Sequence, residues 1–167
     1  MLRFFFVYGS RQALSNPYIG ICSIFCTRLF NRKPPIIYED RLQSRDFVNV
    51  KDIYQALILS MEKDVARGEI FNVGSGRPIT IKEVAEIITK KINPNLKIIY
   101  NQQYRTGDIR YFLADISKIK NKLGYKPTIN FKEGINELIE WIKPQISKFQ
   151  DKSHITINEL REKGLLK

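Results

Sequence analysis

With 167 residues, 43% of them hydrophobic, the chain has enough apolar side chain to build a core, so disorder is excluded as the default. Its 28 Lys and Arg against 17 Asp and Glu leave a net charge of +11, which suits a phosphorylated ligand, an anionic surface or nucleic acid. The lysines are scattered among glutamates without a long run of like charge, which argues for a solvated surface or a phosphate-facing patch over a nucleic-acid stripe. No stretch reaches the length of a membrane span, and Arg28 interrupts the most apolar segment. The apolar N-terminal run is too short for a signal peptide and has no small-residue cleavage site. Cys22 and Cys26 lie four apart inside a helical pattern, a poor geometry for a disulfide, and His154 is the only histidine to complete a metal set. The expectation is a protein of the reducing cytoplasm with two packed thiols and no metal.

Leu2 to Tyr8 is a run that is apolar but for Arg3 and is closed by Gly9, the pattern of a parallel-sheet strand buried on both faces. Such a strand belongs in the middle of a sheet, yet here it opens the protein. Asn16-Pro17 reads as the start of a helix reaching about Asn31, broken by Pro34-Pro35. Ile36 to Tyr38 is a short strand, Glu39-Asp40-Arg41 a turn, and Arg45 to Val50 the return strand. From Lys51 to Lys63 the apolar positions follow helical spacing. Residues 69–74 form another strand closed by glycine.

Thr80 with Glu83 is a capping box opening a helix whose stripe is Ile81, Val84, Ala85, Ile88 and Ile92. A strand over 97–100 and a short helix over 117–123, stopped by Gly124, follow. Asn130 with Glu133 starts a helix with Ile135, Leu138, Ile139 and Ile142 inside, ended or kinked by Pro144. The tail reads as one or two more helical turns with Thr156 and Glu159 as a further capping box. The alternation is α/β. Residues 1–147 make the main unit, and 148–167 a basic C-terminal tail.

Self-contained catalysis is not visible. Gly74-Ser-Gly76 follows a strand but lacks a third glycine, which leaves it a loop turn or a weak phosphate contact. No nucleophile and base share a credible arrangement. Several segments in order are more specific: Tyr8-Gly-Ser-Arg-Gln12 with Ser15-Asn-Pro-Tyr18; Ser44-Arg-Asp-Phe-Val-Asn-Val-Lys-Asp52; Phe71-Asn-Val-Gly-Ser-Gly76; Tyr104-Arg-Thr-Gly-Asp108 with Ala114-Asp-Ile-Ser-Lys118. Together they resemble the C-terminal half of the extended short-chain dehydrogenase/reductase family, in particular its NAD-dependent nucleotide-sugar epimerases and dehydratases. The resemblance runs to about Lys143. It implies the C-terminal part of a Rossmann-type parallel sheet plus a small substrate-binding lobe, with the N-terminal dinucleotide-binding half absent.

The same resemblance assigns residues. Asn16 matches an asparagine that contacts the substrate diphosphate, and Tyr38 the aromatic that stacks on uracil or thymine. Arg45 and Arg105 match arginines on the diphosphate, chemistry suited to a bidentate guanidinium. Asp108 matches the acid that accepts from the ribose hydroxyls. Each has a structural rival: an N-cap for Asn16, a strand aromatic for Tyr38, a pair with Asp46 or Asp52 for Arg45, a solvated loop for Arg105, and a turn former for Asp108. Asp115 and Asn72 read as structural, a helix start and a strand-end anchor.

The chain also departs from the family pattern. Phe6 stands where an asparagine is usual, at a position facing the active site. Ser10 replaces a proline, Asn49 a histidine, and Arg41 a turn glycine, which supplies positive φ at little cost. The family's NAD-binding glycine turn and its Tyr-x-x-x-Lys pair have no counterpart here. Catalytic, cofactor and metal residues are therefore none in this chain, and NAD belongs to the full-length family, with no tight binding expected from these residues alone.

The expected partners are a UDP- or dTDP-sugar and either a complementing N-terminal chain or a second copy, since an uncovered strand with three phenylalanines leaves about 1.5–3 kcal/mol of burial unrealised per ring. The full-length relative is expected to epimerise at C4. A 4,6-dehydratase or decarboxylase fragment, a non-catalytic binding subunit and a basic nucleic-acid binder are the alternatives.

Overall fold

The computed structural model describes residues 1–14, 20–38, 40–104, 106–148 and 153–166, and of Ser153, His154 and Thr156 the backbone only. The opening apolar run divides at Phe5 into β1 (Leu2–Phe4) and β2 (Phe6–Tyr8), because consecutive amides of a strand point to opposite edges. Phe5 N–H donates to Val73 O at 3.0 Å, and Phe6 N–H to Asp46 O at 3.1 Å. β1 accordingly runs parallel to β6 (Phe71–Val73), with Leu2 opposite Phe71. β2 runs parallel to β5 (Phe47–Asn49), with Phe6 opposite Phe47. β1 has only β6 beside it among the described residues. The run expected to be buried on both faces is thus half covered: Phe4 is 47% exposed and Phe6 38%.

β3 (Ile36–Tyr38) pairs in parallel with β8 (Ile99–Asn101). The return strand expected over 45–50 does not form a hairpin with it. That segment is β4 (Ser44–Arg45), then β5, then the first residue of α2 (Val50–Glu62). β4 lies between β7 (Ile79–Thr80), antiparallel, and β9 (Tyr111–Phe112), parallel. Apolar runs this short reveal a strand but carry no information about its partner.

Helix starts follow side-chain chemistry where a cap exists. Asn49 Oδ1 accepts from Lys51 N at 3.0 Å to open α2. Both halves of the Thr80–Glu83 box form at the head of α3 (Ile81–Ile92). Asn130 caps α5 (Phe131–Ile142), which gives way to a 3-10 segment over Lys143–Lys148 at Pro144. α4 (Ser117–Leu123) ends on Gly124 at φ 70°. The first helix differs from expectation: α1 (Ile21–Phe30) begins after Gly20, in left-handed conformation at φ 76°, so it does not start at Asn16-Pro17. α6 (Ser153–Glu162) likewise starts ahead of Thr156, which lies inside it.

α1, α3 and α5 bury their apolar stripes together around Phe25, Leu29, Val84, Ile88, Leu138 and Ile142, with Tyr8 and Phe47 from the strands. A second core joins α2 and α4 across β6 through Ile53, Ala56, Phe71, Val73, Ile119, Leu123 and Tyr125. Each fully buried Ile or Leu stabilises by roughly 1.5–3 kcal/mol. Cys22 and Cys26 are buried free thiols in the first core. No helix among the described residues is long and apolar enough to cross a membrane.

Candidate functional site

The β7–β4–β9 sheet brings Arg45 to Asp108. Arg45 Nη2 donates to Asp108 Oδ1 at 2.9 Å, and its side chain is only 5% exposed against 34% for Asp108. Nη1 donates to the carbonyls of Ser44 and Arg110, which sets the guanidinium plane. Asp46 and Asp52, the acids of the rival structural reading, do not pair with Arg45; its carboxylate partner is Asp108. Below the guanidinium lies Phe6, its ring centroid 5.5 Å from Arg45 Cζ, so the aromatic that replaces the family asparagine supports the arginine. Phe6 is itself held edge-on by Phe112 at 5.5 Å.

Arg110, whose carbonyl Arg45 grips, also lines a cleft of about 700 Å³ with Asp40, Arg41, Gln102 and Tyr104. Arg110 pairs with Asp40 and holds that carboxyl below the usual carboxylate range. Asp40 also accepts from Leu42 N at 3.0 Å and so shapes the turn that carries Arg41. Arg41 sits at φ 75°, a conformation costing a non-glycine residue roughly 1–2 kcal/mol. Tyr38 ends β3 half-buried, opposite Asn101 and therefore on the other face of the pair from Tyr100. It does not line this cleft. Asn16 and Arg105 lie outside the described residues.

The glycine-rich turn after β6 has a different use from phosphate binding. Asp46, fully buried, accepts from Ser75 N at 2.7 Å, Ser75 Oγ at 2.6 Å, Gly76 N at 3.0 Å and Ala114 N at 3.1 Å. A Cβ on Gly74 would stand 2.5 Å from the Ala114 Cβ and 2.6 Å from Asp46 Oδ2, so only glycine closes this socket. An internal carboxylate fills the turn, and these amides do not fit the pyrophosphate of a dinucleotide.

Asp52 does comparable work in the first turn of α2, accepting from Thr128 N at 2.9 Å and from Thr128 Oγ1 at 3.1 Å. Asp115 accepts from Ser117 N at 2.9 Å and opens α4, and the Asn72 amide donates to its carbonyl at 3.5 Å. The anchoring roles of Asp46 and Asp52 and the cleft residues Asp40, Gln102 and Arg110 escaped the sequence reading. The spacing of the Ser44–Asp52 motif was the one available signal for the first two.

The family model described as GDP-mannose 4,6 dehydratase matches residues 1–138. A dTDP-L-rhamnose 4-epimerase from Burkholderia thailandensis is 32% identical over 149 residues, covering 89% of this chain and 40% of the relative. The structure of a UDP-N-acetylglucosamine 4-epimerase from Methanobrevibacter ruminantium, in complex with UDP-N-acetylmuramic acid, is 38% identical. It superposes with a TM-score of 0.79 over 86% of this chain and 46% of the other. A UDP-glucuronic acid 4-epimerase from Bacillus cereus, in complex with UDP-glucuronic acid and NAD, is 26% identical with a TM-score of 0.77, over 86% of this chain and 45% of that one.

The fold and the motif series define part of an α/β fold of the short-chain dehydrogenase/reductase type. The chain belongs to the NAD-dependent nucleotide-sugar epimerase/dehydratase family of extended short-chain dehydrogenases/reductases. It spans less than half the length of these relatives.

Proposed function

We propose that the chain binds a UDP- or dTDP-sugar as the substrate-binding part of a cytoplasmic, NAD-dependent sugar 4-epimerase, and that these 167 residues alone turn nothing over. The observation that carries this reading is the Arg45–Asp108 pair, tied through the Arg110 carbonyl to a cleft that Arg41 and Arg110 line. A diphosphate takes the fixed guanidinium, and ribose hydroxyls donate to the half-exposed carboxylate. Tyr38, the aromatic that the motif assigns to the base, lies on the other face of the β3–β8 pair from this cleft, so the grip proposed here rests on the arginines and Asp108. Asn16 and Arg105, matched by motif, add a further amide and a further guanidinium.

Calorimetry with UDP and dTDP tests the grip. Arg45→Ala is expected to weaken binding by about 10–100-fold. Asp108→Asn, which leaves the buried arginine in place, should weaken it by a smaller factor. Absence of binding by the unaltered chain, or equal binding by both variants, would refute it. Epimerase turnover by the purified 167 residues would refute the second half.

A catalytic half completing the site from outside these residues is favoured by a specific surface. β1 has its second edge free of any described strand, and α2 exposes Tyr54, Leu57 and Met61 at helical spacing. A complementing chain, or a second copy, is the occupant this reading implies. The 4,6-dehydratase or decarboxylase alternative uses the same grip, and product analysis of the complemented enzyme separates the two.

A further inference from the structure

Arg41 is the departure from the family pattern that the nucleotide reading leaves unused. It occupies the turn position where glycine is at ease, at φ 75°. Arg32, at φ 57°, is also left-handed, but there the backbone closes the end of α1 through Arg32 N to Leu29 O at 3.1 Å. Arg41 differs in what its side chain meets. Its Cζ lies 3.8 Å from the centroid of the Tyr100 ring, so the guanidinium is laid on the aromatic face and its plane is set. It lines the cleft together with the Gln102 amide and the Tyr104 phenol, groups that pair with the edge of a heterocycle or stack on it. A backbone held in an uncommon conformation beside an open cleft marks a position kept for its side chain.

We propose that Arg41 is a ligand-contacting residue that presents a flat cationic face, backed by Tyr100, to the nucleoside end of the bound nucleotide. This rests on the nucleotide-binding reading above and deepens it. The planar guanidinium does the work, because a base stacks on a plane and not on a point charge. Charge alone would act on the phosphates.

The test measures UDP and UMP affinity of the full chain by calorimetry, with Arg41→Gly, Arg41→Lys and Arg45→Ala, and melting by circular dichroism. Arg41→Gly is expected to fold with a melting temperature no lower than the unaltered chain, since glycine suits the turn. It should lose about tenfold in affinity, by the same factor for UMP as for UDP. Arg41→Lys should stay within about twofold of Arg41→Gly. Full affinity in Arg41→Lys would overturn the planar role, and a loss confined to UDP would move Arg41 to the phosphates. Unchanged affinity in Arg41→Gly, with Arg45→Ala weakened, would overturn the inference alone. Failure of the unaltered chain to bind either nucleotide would overturn the parent reading and this one with it.

Discussion

Asp46 shows how a single buried charge organises the site. Its neighbour Arg45 reaches Asp108 only because the segment from Tyr111 to Ala114 is clamped alongside β4, and the clamp is the carboxylate that Ser75, Gly76 and Ala114 share. Truncation to alanine leaves buried amides without acceptors, each costing about 1–3 kcal/mol. Asp46→Ala is therefore expected to lower stability by about 3 kcal/mol or more in urea denaturation, with Asp46→Asn intermediate because one carbonyl oxygen remains. Equal stability of all three proteins would contradict the role. At this scale the sequence singled out Arg45 and Asp108 through the motif series, but not their pairing: the acids it offered as structural rivals for Arg45 were Asp46 and Asp52. Asp46, Asp52 and Asp108 are equally plausible partners until the chain is folded, and 63 positions separate the pair that forms.

Among the elements, helices were more legible than strands. Thr80, Asn130, Gly124 and Pro144 act through local backbone groups, so their effect is written within a few residues of them. Strand partners are not local, and the hairpin expected from Ile36 to Val50 resolved into four different pairings. One element contact gives a pH signature. Glu69, ahead of β6, bridges Lys118 and Lys122 on one face of α4.

Hydrogen bonds from Lys118 and then Lys122 hold the Glu69 carboxyl at about 2, below its ordinary value of 4.5. A depressed folded value means stability that is present above the unfolded value and is lost as pH falls toward the folded one. Relative to the unaltered protein, Glu69→Gln should melt lower near neutral pH, and the gap should close between about pH 4.5 and pH 2. A gap that is constant across that window would exclude the ion pair as its source. High salt should narrow the neutral-pH gap as well, because the three side chains are accessible to solvent.

At the scale of the molecule, β1 has no strand on its second edge among the described residues, and α2 exposes an apolar stripe. An uncovered parallel-sheet edge carrying Phe4 is a template for another strand. Phe4→Lys is expected to keep the chain monomeric by light scattering at concentrations where the unaltered chain self-associates, and to weaken capture of any complementing half. A monodisperse unaltered chain at all concentrations, with no gain from the substitution, would remove the case for an obligate partner.

What the sequence determined by itself was the family, the α/β alternation, the caps at Thr80 and Asn130, the stop at Gly124 and the identity of the motif residues, because motif order and local hydrogen bonding are properties of neighbouring positions. Tertiary structure alone decided that the glycine turn receives Asp46, that Phe6 lies under Arg45, and that Arg41 rests on Tyr100. Those contacts join residues far apart in the chain. Each depends on which strands pair and in what register, a choice made by the burial of the two cores and not by any local pattern.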